Sequence, residues 1–138
     1  DELSAEVAAR YDFQMGGKGA FSPEEVNVEK AGFYVIYSEE TPVGCGALRP
    51  LFNYEIAEVK RMFVQKAFRG RGIAKMILSH LENEATSFGY RKIWLETGDR
   101  QPEAIQLYQK SGYSRIKNYG IYKANLHSNC FEKQLIKI

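Results

Sequence analysis

Apolar residues predominate in two short segments, Gly32 to Ser38 and Pro42 to Arg49, on either side of the turn Glu39-Glu40-Thr41, and the first segment is rich in aromatic and β-branched residues. Apolar segments that flank a short turn are typical of a β-hairpin. A third apolar run, Ile56 to Val64, predicts a long central strand. The segment between the second and third runs, Pro50 to Tyr54, is then a loop. Three consecutive strands are therefore expected in this part of the chain.

Apolar residues recur at helical spacing in the segment that follows. The spacing predicts a helix from Ile73 to Phe88, with Gly89 as its C-terminal cap. The positions on its apolar face are Ile73, Met76, Ile77, His80, Leu81, Glu84, Ala85 and Phe88. Arg91 to Thr97 predicts the next strand, and Pro102 to Ser111 predicts a helix that begins on proline and stops at Gly112.

The two ends of the chain complete the pattern. Tyr113 to Lys117 and Cys130 to Ile136 predict the last two strands. At the other end, helical spacing predicts that the chain opens inside a helix, on the positions Leu3, Val7, Ala8 and Tyr11. Gln14 to Ala20, with three glycines, predicts a flexible loop, and Ser22-Pro23-Glu24-Glu25 has the composition of a helix start.

Composition narrows the class of protein. A chain of 138 residues with 44% hydrophobic content can bury one core, so we expect a single domain over residues 1–138. Nineteen Lys and Arg against seventeen Asp and Glu leave a net charge of +2, which argues against nucleic-acid or membrane partners. Without an apolar run of ~20 residues or a signal peptide, a cytoplasmic protein is expected. Cys45 and Cys130 have no metal-ligand spacing, so no metal is expected.

A glycine-rich turn, Arg69-Gly70-Arg71-Gly72-Ile73-Ala74, lies between the predicted central strand and the long helix. The first N–H groups of a helix have no partner within the helix, and the helix dipole adds positive potential there. Gly70 and Gly72 would let a pyrophosphate approach the backbone, while Arg69, Arg71 and Lys75 add positive charge. A tight turn with solvated arginines is the alternative.

The motif around this turn resembles a known family. R-x-x-G-x-A after a strand ending Met62-Phe63-Val64 resembles the acyl-CoA pyrophosphate loop of the GNAT superfamily of N-acetyltransferases. Gln101 to Tyr108, followed by Lys110-Ser111-Gly112-Tyr113, is similar to the second signature of that family. The two motifs occur in the family order, separated by a helix and a strand. The resemblance covers Tyr34 to the C-terminus.

The resemblance implies an α/β (α+β) fold, the GNAT fold, with a central mixed, mostly antiparallel sheet that is flanked by helices and splayed at the acetyl-CoA site. The family fold begins with a strand, whereas this chain starts at Asp1 in a predicted helix. We expect that strand to precede Asp1, outside this sequence; its true absence is the alternative. Family members are often dimers, so a homodimer is a further expectation.

The resemblance also implies how acetyl-CoA, the expected cosubstrate, is bound. Backbone amides from Arg69 to Ala74 would hold the pyrophosphate, and Met62 to Val64 would hydrogen-bond the pantetheine as a neighbouring strand does. An N–H near Phe63 would face the thioester oxygen. Gln101 replaces the usual asparagine, which lengthens the side chain. The implied cofactor-binding residues are Met62, Phe63, Val64, Arg69, Gly70, Arg71, Gly72, Ile73, Ala74, Gln101 and Tyr108.

Tyr108 and Glu58 are the implied catalytic residues. Tyr108 matches the family tyrosine whose hydroxyl meets the CoA sulfur, and a phenol can protonate the leaving thiolate; a core tyrosine is the alternative. Glu58 aligns with a family base, although it could instead pair with Lys60 or Arg61. Alternation along the strand puts Glu58, Lys60, Met62 and Val64 on one face.

Further residues are candidates for the acceptor side. Glu96, at the end of the following strand, is a second carboxylate that could take a proton or bind a cationic acceptor. The resemblance implies that the acceptor side also includes Arg49, Arg61, the loop Tyr119-Gly120-Ile121-Tyr122 and the strand start Asn129-Cys130-Phe131-Glu132.

Transfer of an acetyl group from acetyl-CoA to the primary amine of a small molecule, by direct attack, is the leading functional hypothesis. Acetylation of a protein or peptide amine and an acyl-CoA sensor without turnover are the alternatives. Nucleic-acid binding through the basic turn would need a longer basic face. A dinucleotide-binding fingerprint fails, because its third small residue would fall on Lys75.

Overall fold

The computed structural model describes residues 28–135, in which six strands and two helices follow one another. They are β1 (Gly32–Ser38), β2 (Thr41–Leu51), β3 (Ile56–Val64), α1 (Ile73–Phe88), β4 (Lys92–Gly98), α2 (Pro102–Lys110), β5 (Ser114–Ile116) and β6 (Ser128–Gln134). Short 3-10 helices cover Lys66–Phe68 and Gly120–Tyr122. The helices predicted before residue 28 lie outside the described residues.

All six strands form one sheet in the order β1-β2-β3-β4-β6-β5. β3 and β4 are parallel, and the remaining neighbours in this part of the chain are antiparallel. The parallel pair requires a crossover, which α1 provides. The prediction of a mixed, mostly antiparallel sheet with flanking helices is confirmed.

Predicted and observed element bounds agree best where the apolar pattern is longest. The bounds of β1, β3 and α1 are those that the sequence predicts. The predicted loop Pro50 to Tyr54 is wrong at its start, because β2 continues to Leu51, which pairs with Ile56. β6 begins at Ser128 rather than Cys130, since Ser128 pairs with Gly98. The other strands and α2 differ by one or two residues at their ends.

The main core lies between the sheet and α1. Its buried residues from the sheet include Leu48, Ala57, Val59, Ile93, Leu95 and Phe131, and those from α1 are Ile77, Leu78, Leu81 and Ala85. Burial of each leucine or isoleucine contributes roughly 1.5–3 kcal/mol. A second cluster of Leu51, Ile56, Tyr119 and Cys130 packs with Trp94 on the opposite face. The sheet therefore carries packed side chains on both faces.

A β-bulge divides β3. The pairing of β2 with β3 shifts register between Cys45 and Ala47, and Arg61 takes a left-handed conformation with φ 58°. The bulge reverses the alternation, so that Met62 packs with Val59 against the α1 core. Met62 and Val64 therefore do not share a face with Glu58, and the predicted alternation is wrong.

β3 and β4 separate after a short paired segment. Their parallel pairing covers Ile56 to Val59 and Lys92 to Leu95. Farther along, β3 pairs only with β2 among the described strands, while Glu96 to Gly98 pair with β6. The sheet is thus splayed at the C-terminal ends of its two parallel strands, which confirms the predicted splay.

Candidate active site

The glycine-rich turn delivers the chain from β3 to the start of α1. Gly70 and Gly72 have φ of 80° and 79°, and Gly72 is the N-cap residue. A Cβ added at either position would meet no atom within 4 Å, so the positive φ rather than crowding favours glycine. The first helical hydrogen bond runs from Met76 N to Gly72 O at 3.1 Å. The amides that follow Arg69 in the turn precede the helical hydrogen bonds, as an anion site requires, whereas the Arg69 amide donates to the carbonyl oxygen of Lys66 at 3.3 Å.

Arginine side chains fasten this turn to its surroundings. Arg69 Nε donates to the carbonyl oxygen of Val64 at 3.0 Å, and its guanidinium lies 5.8 Å from the Phe63 ring centroid. Arg71 lies 5.3 Å from the ring centroid of Phe68. The first turn of α1 contains no acidic residue. The turn is therefore electropositive, and Arg69 ties it to the end of β3.

Tyr108 lies on α2 with its hydroxyl directed toward β3. Only 7% of its surface is exposed, and the ring packs against Tyr113 and Phe131 at centroid distances of 5.8 and 6.0 Å. Its hydroxyl lies 4.0 Å from Met62 Sδ. Burial, together with the nearby charge of Glu96, raises the pKa of Tyr108 to about 12. The phenol therefore remains protonated at neutral pH, beside the splayed part of β3.

Glu58 is buried and held on both carboxylate oxygens. Arg49, its register partner on β2, places Nε and Nη2 each 2.9 Å from Oε1. The Tyr119 hydroxyl donates to Oε2 at 2.6 Å. Burial and the adjacent carboxylate raise the pKa of Tyr119 well above its usual range. Glu58 is thus ion-paired with Arg49 of the neighbouring strand, and not with Lys60 or Arg61, the partners that the sequence predicted for a paired Glu58.

Glu96 is the first residue of β4 beyond the segment paired with β3. It is half-buried, and its Oε2 accepts a hydrogen bond from the Ser128 hydroxyl at 2.6 Å. Its charge contributes to the raised pKa of Tyr108, and also to that of Tyr122, which burial raises to about 12. Glu96 therefore borders the splay and is electrostatically coupled to tyrosines from two different elements.

The predicted acceptor-side residues lie in several environments. The loop Tyr119 to Tyr122 forms a 3-10 helix whose first tyrosine contacts Glu58. Asn129 Nδ2 donates to Asp99 Oδ1 at 2.6 Å, and Glu132 accepts from Trp94 Nε1 at 2.9 Å. The face that carries Glu58 thus includes that loop and Glu132, whereas Asn129 is tied to the end of β4.

Sequence reasoning missed Trp94 and Phe52 at this face. The Trp94 ring lies 4.9 Å from Tyr119, and the Phe52 ring lies 6.0 Å from Trp94. Trp94 precedes Glu96 by two positions on one strand, which is the spacing of same-face residues and could have identified it. Phe52 lies in a predicted loop, where no pattern distinguished it.

Gln101 and a groove beside α1 lie apart from these groups. Gln101 is exposed and precedes α2. A groove of about 780 Å³ runs between β1 and α1, where it is lined by Tyr34, Gly72, Lys75 and His80 among others. Tyr108, Glu58 and Glu96 do not line it. This groove therefore reaches the glycine-rich turn but not the splay.

Residues 28–135 contain no group of three or more His, Cys, Asp or Glu side chains able to hold a metal ion. Within the same range, neither helix has the length and apolar character needed to cross a membrane.

Comparison with known proteins identifies the family. Residues 5–113 match the acetyltransferase (GNAT) family. A protein named IAA acetyltransferase from Azospirillum brasilense is 39% identical over 103 residues, which are 75% of this chain and 67% of that protein.

Solved structures share the fold. The aminoglycoside 6'-N-acetyltransferase from Enterococcus faecium superposes with a TM-score of 0.80 at 16% identity, over 99% of this chain and 92% of that one. A GNAT family acetyltransferase from Elizabethkingia anophelis, with acetyl-CoA bound, gives 0.67 at 19% identity, over 85% and 93% of the two chains. The splayed sheet and the glycine-rich helix start agree with the family match. The chain belongs to the GNAT family of acetyltransferases and is an acetyl-CoA-dependent acyltransferase.

Proposed function

We propose that the protein transfers the acetyl group of acetyl-CoA to the primary amine of a small molecule, by direct attack within a ternary complex. The observation that carries this proposal is the splay between β3 and β4, which has the Tyr108 hydroxyl beside Met62 and the Glu96 carboxylate at its border. An acid and a candidate base thus flank a gap that exposes strand backbone.

The cosubstrate would be held along the second half of β3 and the start of α1. The amides from Arg69 to Ala74 would bind the pyrophosphate, since they precede or begin the helix and adjoin Arg71 and Lys75. Backbone groups of Met62 to Val64 would pair with the pantetheine amides. Gln101 would contribute a further amide contact. The structure with bound acetyl-CoA that shares this fold supports the choice of cosubstrate.

The proton transfers follow from the positions of the two carboxylates and the phenol. Attack requires a neutral amine, and Glu96 can accept its proton through the oxygen that Ser128 does not hold. Glu58 has both oxygens occupied, so it would accept the proton through a water molecule. An N–H near Phe63 would stabilise the developing oxyanion. As the C–S bond breaks, Tyr108 would donate its proton to the thiolate, and its phenolate would take the remaining surplus proton of the amine nitrogen.

The test begins with isothermal titration of acetyl-CoA and of desulfo-CoA into the purified protein. An amine panel follows, monitored by thiol release; Cys45 and Cys130 are buried, which limits reaction of the protein with the thiol reagent. Micromolar binding with turnover on any amine supports the proposal. Binding without turnover on small amines or peptides supports the sensor alternative instead, and lack of binding contradicts the cosubstrate assignment.

A further inference from the structure

Four aromatic side chains form one continuous surface on the sheet face that carries Glu58. Trp94 and Tyr119 have ring centroids 4.9 Å apart, and Tyr119 and Tyr122 are 5.5 Å apart. Phe52 lies 6.0 Å from Trp94 and 6.4 Å from Tyr119. We refer to Phe52, Trp94, Tyr119 and Tyr122 as the aromatic surface. Its rings come from three separate segments that meet beside the splay.

The aromatic surface is anchored at its base and open at its edge. Tyr119 is 5% exposed and fixed by its hydrogen bond to Glu58. Phe52 is 70% exposed, and Ile121 of the adjoining 3-10 helix is 84% exposed. Exposed apolar patches bordered by charged residues mark binding sites more often than they occur on inert surfaces. A planar apolar group would find a preformed wall here.

Two carboxylates that border the aromatic surface are already paired with cations. Glu58 binds Arg49 at 2.9 Å. Glu132 binds Lys92 Nζ at 3.2 Å and also accepts the Trp94 indole N–H. Their charges are thus compensated before any ligand arrives. A polycationic acceptor, which needs several uncompensated carboxylates, would find these two occupied.

Glu96 differs, because its hydrogen-bond donor is the uncharged Ser128 hydroxyl. Among the described residues it forms no ion pair. It lies on the same strand as Trp94 and two positions farther on, so both side chains project from one face of β4. One ammonium group can therefore be compensated here, next to the rings and at the border of the splay.

Given the proposed N-acetyltransferase activity, we infer that the acceptor is a small monoamine that carries an aromatic ring. The ring packs on the aromatic surface, and the ammonium group binds Glu96. Glu96 takes one proton from the ammonium, and the nitrogen forms a bond to the acetyl carbon. The C–S bond then breaks, the thiolate takes the Tyr108 proton, and the second proton of the nitrogen passes to the Tyr108 phenolate, while Glu96 releases its proton to solvent. The aromatic surface thus recognises the ring of the acceptor, and Glu96 recognises its ammonium group.

The experiment compares 2-phenylethylamine with hexylamine, spermidine and the neutral 2-phenylethanol. Trp94 is the only tryptophan of the chain, so its fluorescence reports ligand binding at the aromatic surface whether or not turnover occurs. We expect 2-phenylethylamine to bind and to have a kcat/KM about tenfold above those of hexylamine and spermidine, from ring contacts on this surface.

Three variants separate the contributions of ring and charge. Phe52→Ala should lower the affinity for both 2-phenylethylamine and 2-phenylethanol by roughly three- to tenfold. Glu96→Gln should lower the affinity for the amine alone, by about tenfold, since the uncharged alcohol makes no ionic interaction with Glu96. Leu126→Ala, at a position 93% exposed, is the matched control and should leave the affinity for both ligands unchanged.

The outcomes distinguish this inference from the proposed function. Turnover that favours spermidine or hexylamine overturns the inference and leaves the N-acetyltransferase proposal in place. The same holds if a peptide amine is acetylated while 2-phenylethylamine causes no saturable change in Trp94 fluorescence. If no amine is acetylated, the fluorescence titration alone decides: the absence of saturation by 2-phenylethylamine overturns the inference. Failure of acetyl-CoA to bind contradicts the proposed function itself.

Discussion

The two halves of β3 have opposite properties, although they belong to one strand. Ile56 to Val59 pair with a strand on each side and are buried. Lys60 to Val64 have lost β4 as a neighbour, contain the bulge at Arg61, and are half-buried. The first half fixes Glu58 in an ion pair, and the second half presents backbone to the splay. One strand can therefore supply both a rigid support and a surface for a ligand.

Removal of the Glu58 carboxylate should produce the largest change, because it affects the rigid half. Glu58→Ala would leave the Arg49 charge and the buried Tyr119 hydroxyl without their partner. With Arg49 partly solvated, we expect a loss of about 2–3 kcal/mol in the free energy of unfolding. Urea denaturation measures it. Glu58→Gln, which keeps an acceptor for Tyr119, is the matched control and should lose less; equal losses would contradict the account.

Tyr108→Phe should affect catalysis at the open half. The phenol is the proposed acid for the thiolate, and loss of such a group lowers kcat by about 100-fold or more. The affinity for acetyl-CoA should remain unchanged, because the ring packing with Tyr113 and Phe131 is retained. Steady-state kinetics with titration of acetyl-CoA measures both. A variant with wild-type kcat would assign Tyr108 to the core alone.

The raised pKa of Tyr108 also predicts a dependence of stability on pH. Its pKa lies at about 12 in the folded protein against 10.0 for an ordinary tyrosine. The stabilising effect is complete below pH 10 and is lost as the pH rises toward 12, since only the unfolded state ionises readily in that window. Between pH 10 and 12, the free energy of unfolding should therefore fall by about 2 kcal/mol less in Tyr108→Phe than in the wild type. Identical pH profiles would contradict this shift.

Gly72→Ala should have the smallest effect of the set, and it acts on the anion site. Alanine at φ 79° costs about 1 kcal/mol, although the space around it is open. We expect acetyl-CoA to bind several-fold more weakly, while the free energy of unfolding falls by that small amount. Ser79→Ala, on the exposed side of α1, is the control. Unchanged affinity would argue against pyrophosphate at this helix start.

Sequence patterns identified the elements better than the details of the site. β3 and α1 were predictable because long apolar runs with a clear period specify both the element and its buried face. The bulge at Arg61 was not predictable, since neither glycine nor proline marks it. The wrong alternation beyond Glu58 follows from that one residue. The Arg49–Glu58 pair depends on the register of two strands, which short-range patterns do not define.

The acceptor face illustrates the same limit. Tyr119 to Tyr122 and Glu96 were recognised through the family resemblance and strand ends. Phe52 joins them only because β2 extends beyond its predicted end and directs the loop toward Trp94. Contacts between segments distant in sequence require the fold itself.

The central claim is that the splayed half of β3 binds acetyl-CoA through its backbone. Amide hydrogen exchange with and without acetyl-CoA, resolved along β3 and the glycine-rich turn, tests it most directly. We expect acetyl-CoA to slow exchange at Lys60 to Val64 and at Arg69 to Ala74, while Ile56 to Val59 exchange at the same slow rate in both states. Equal exchange at Lys60 to Val64 with and without bound acetyl-CoA would contradict the claim.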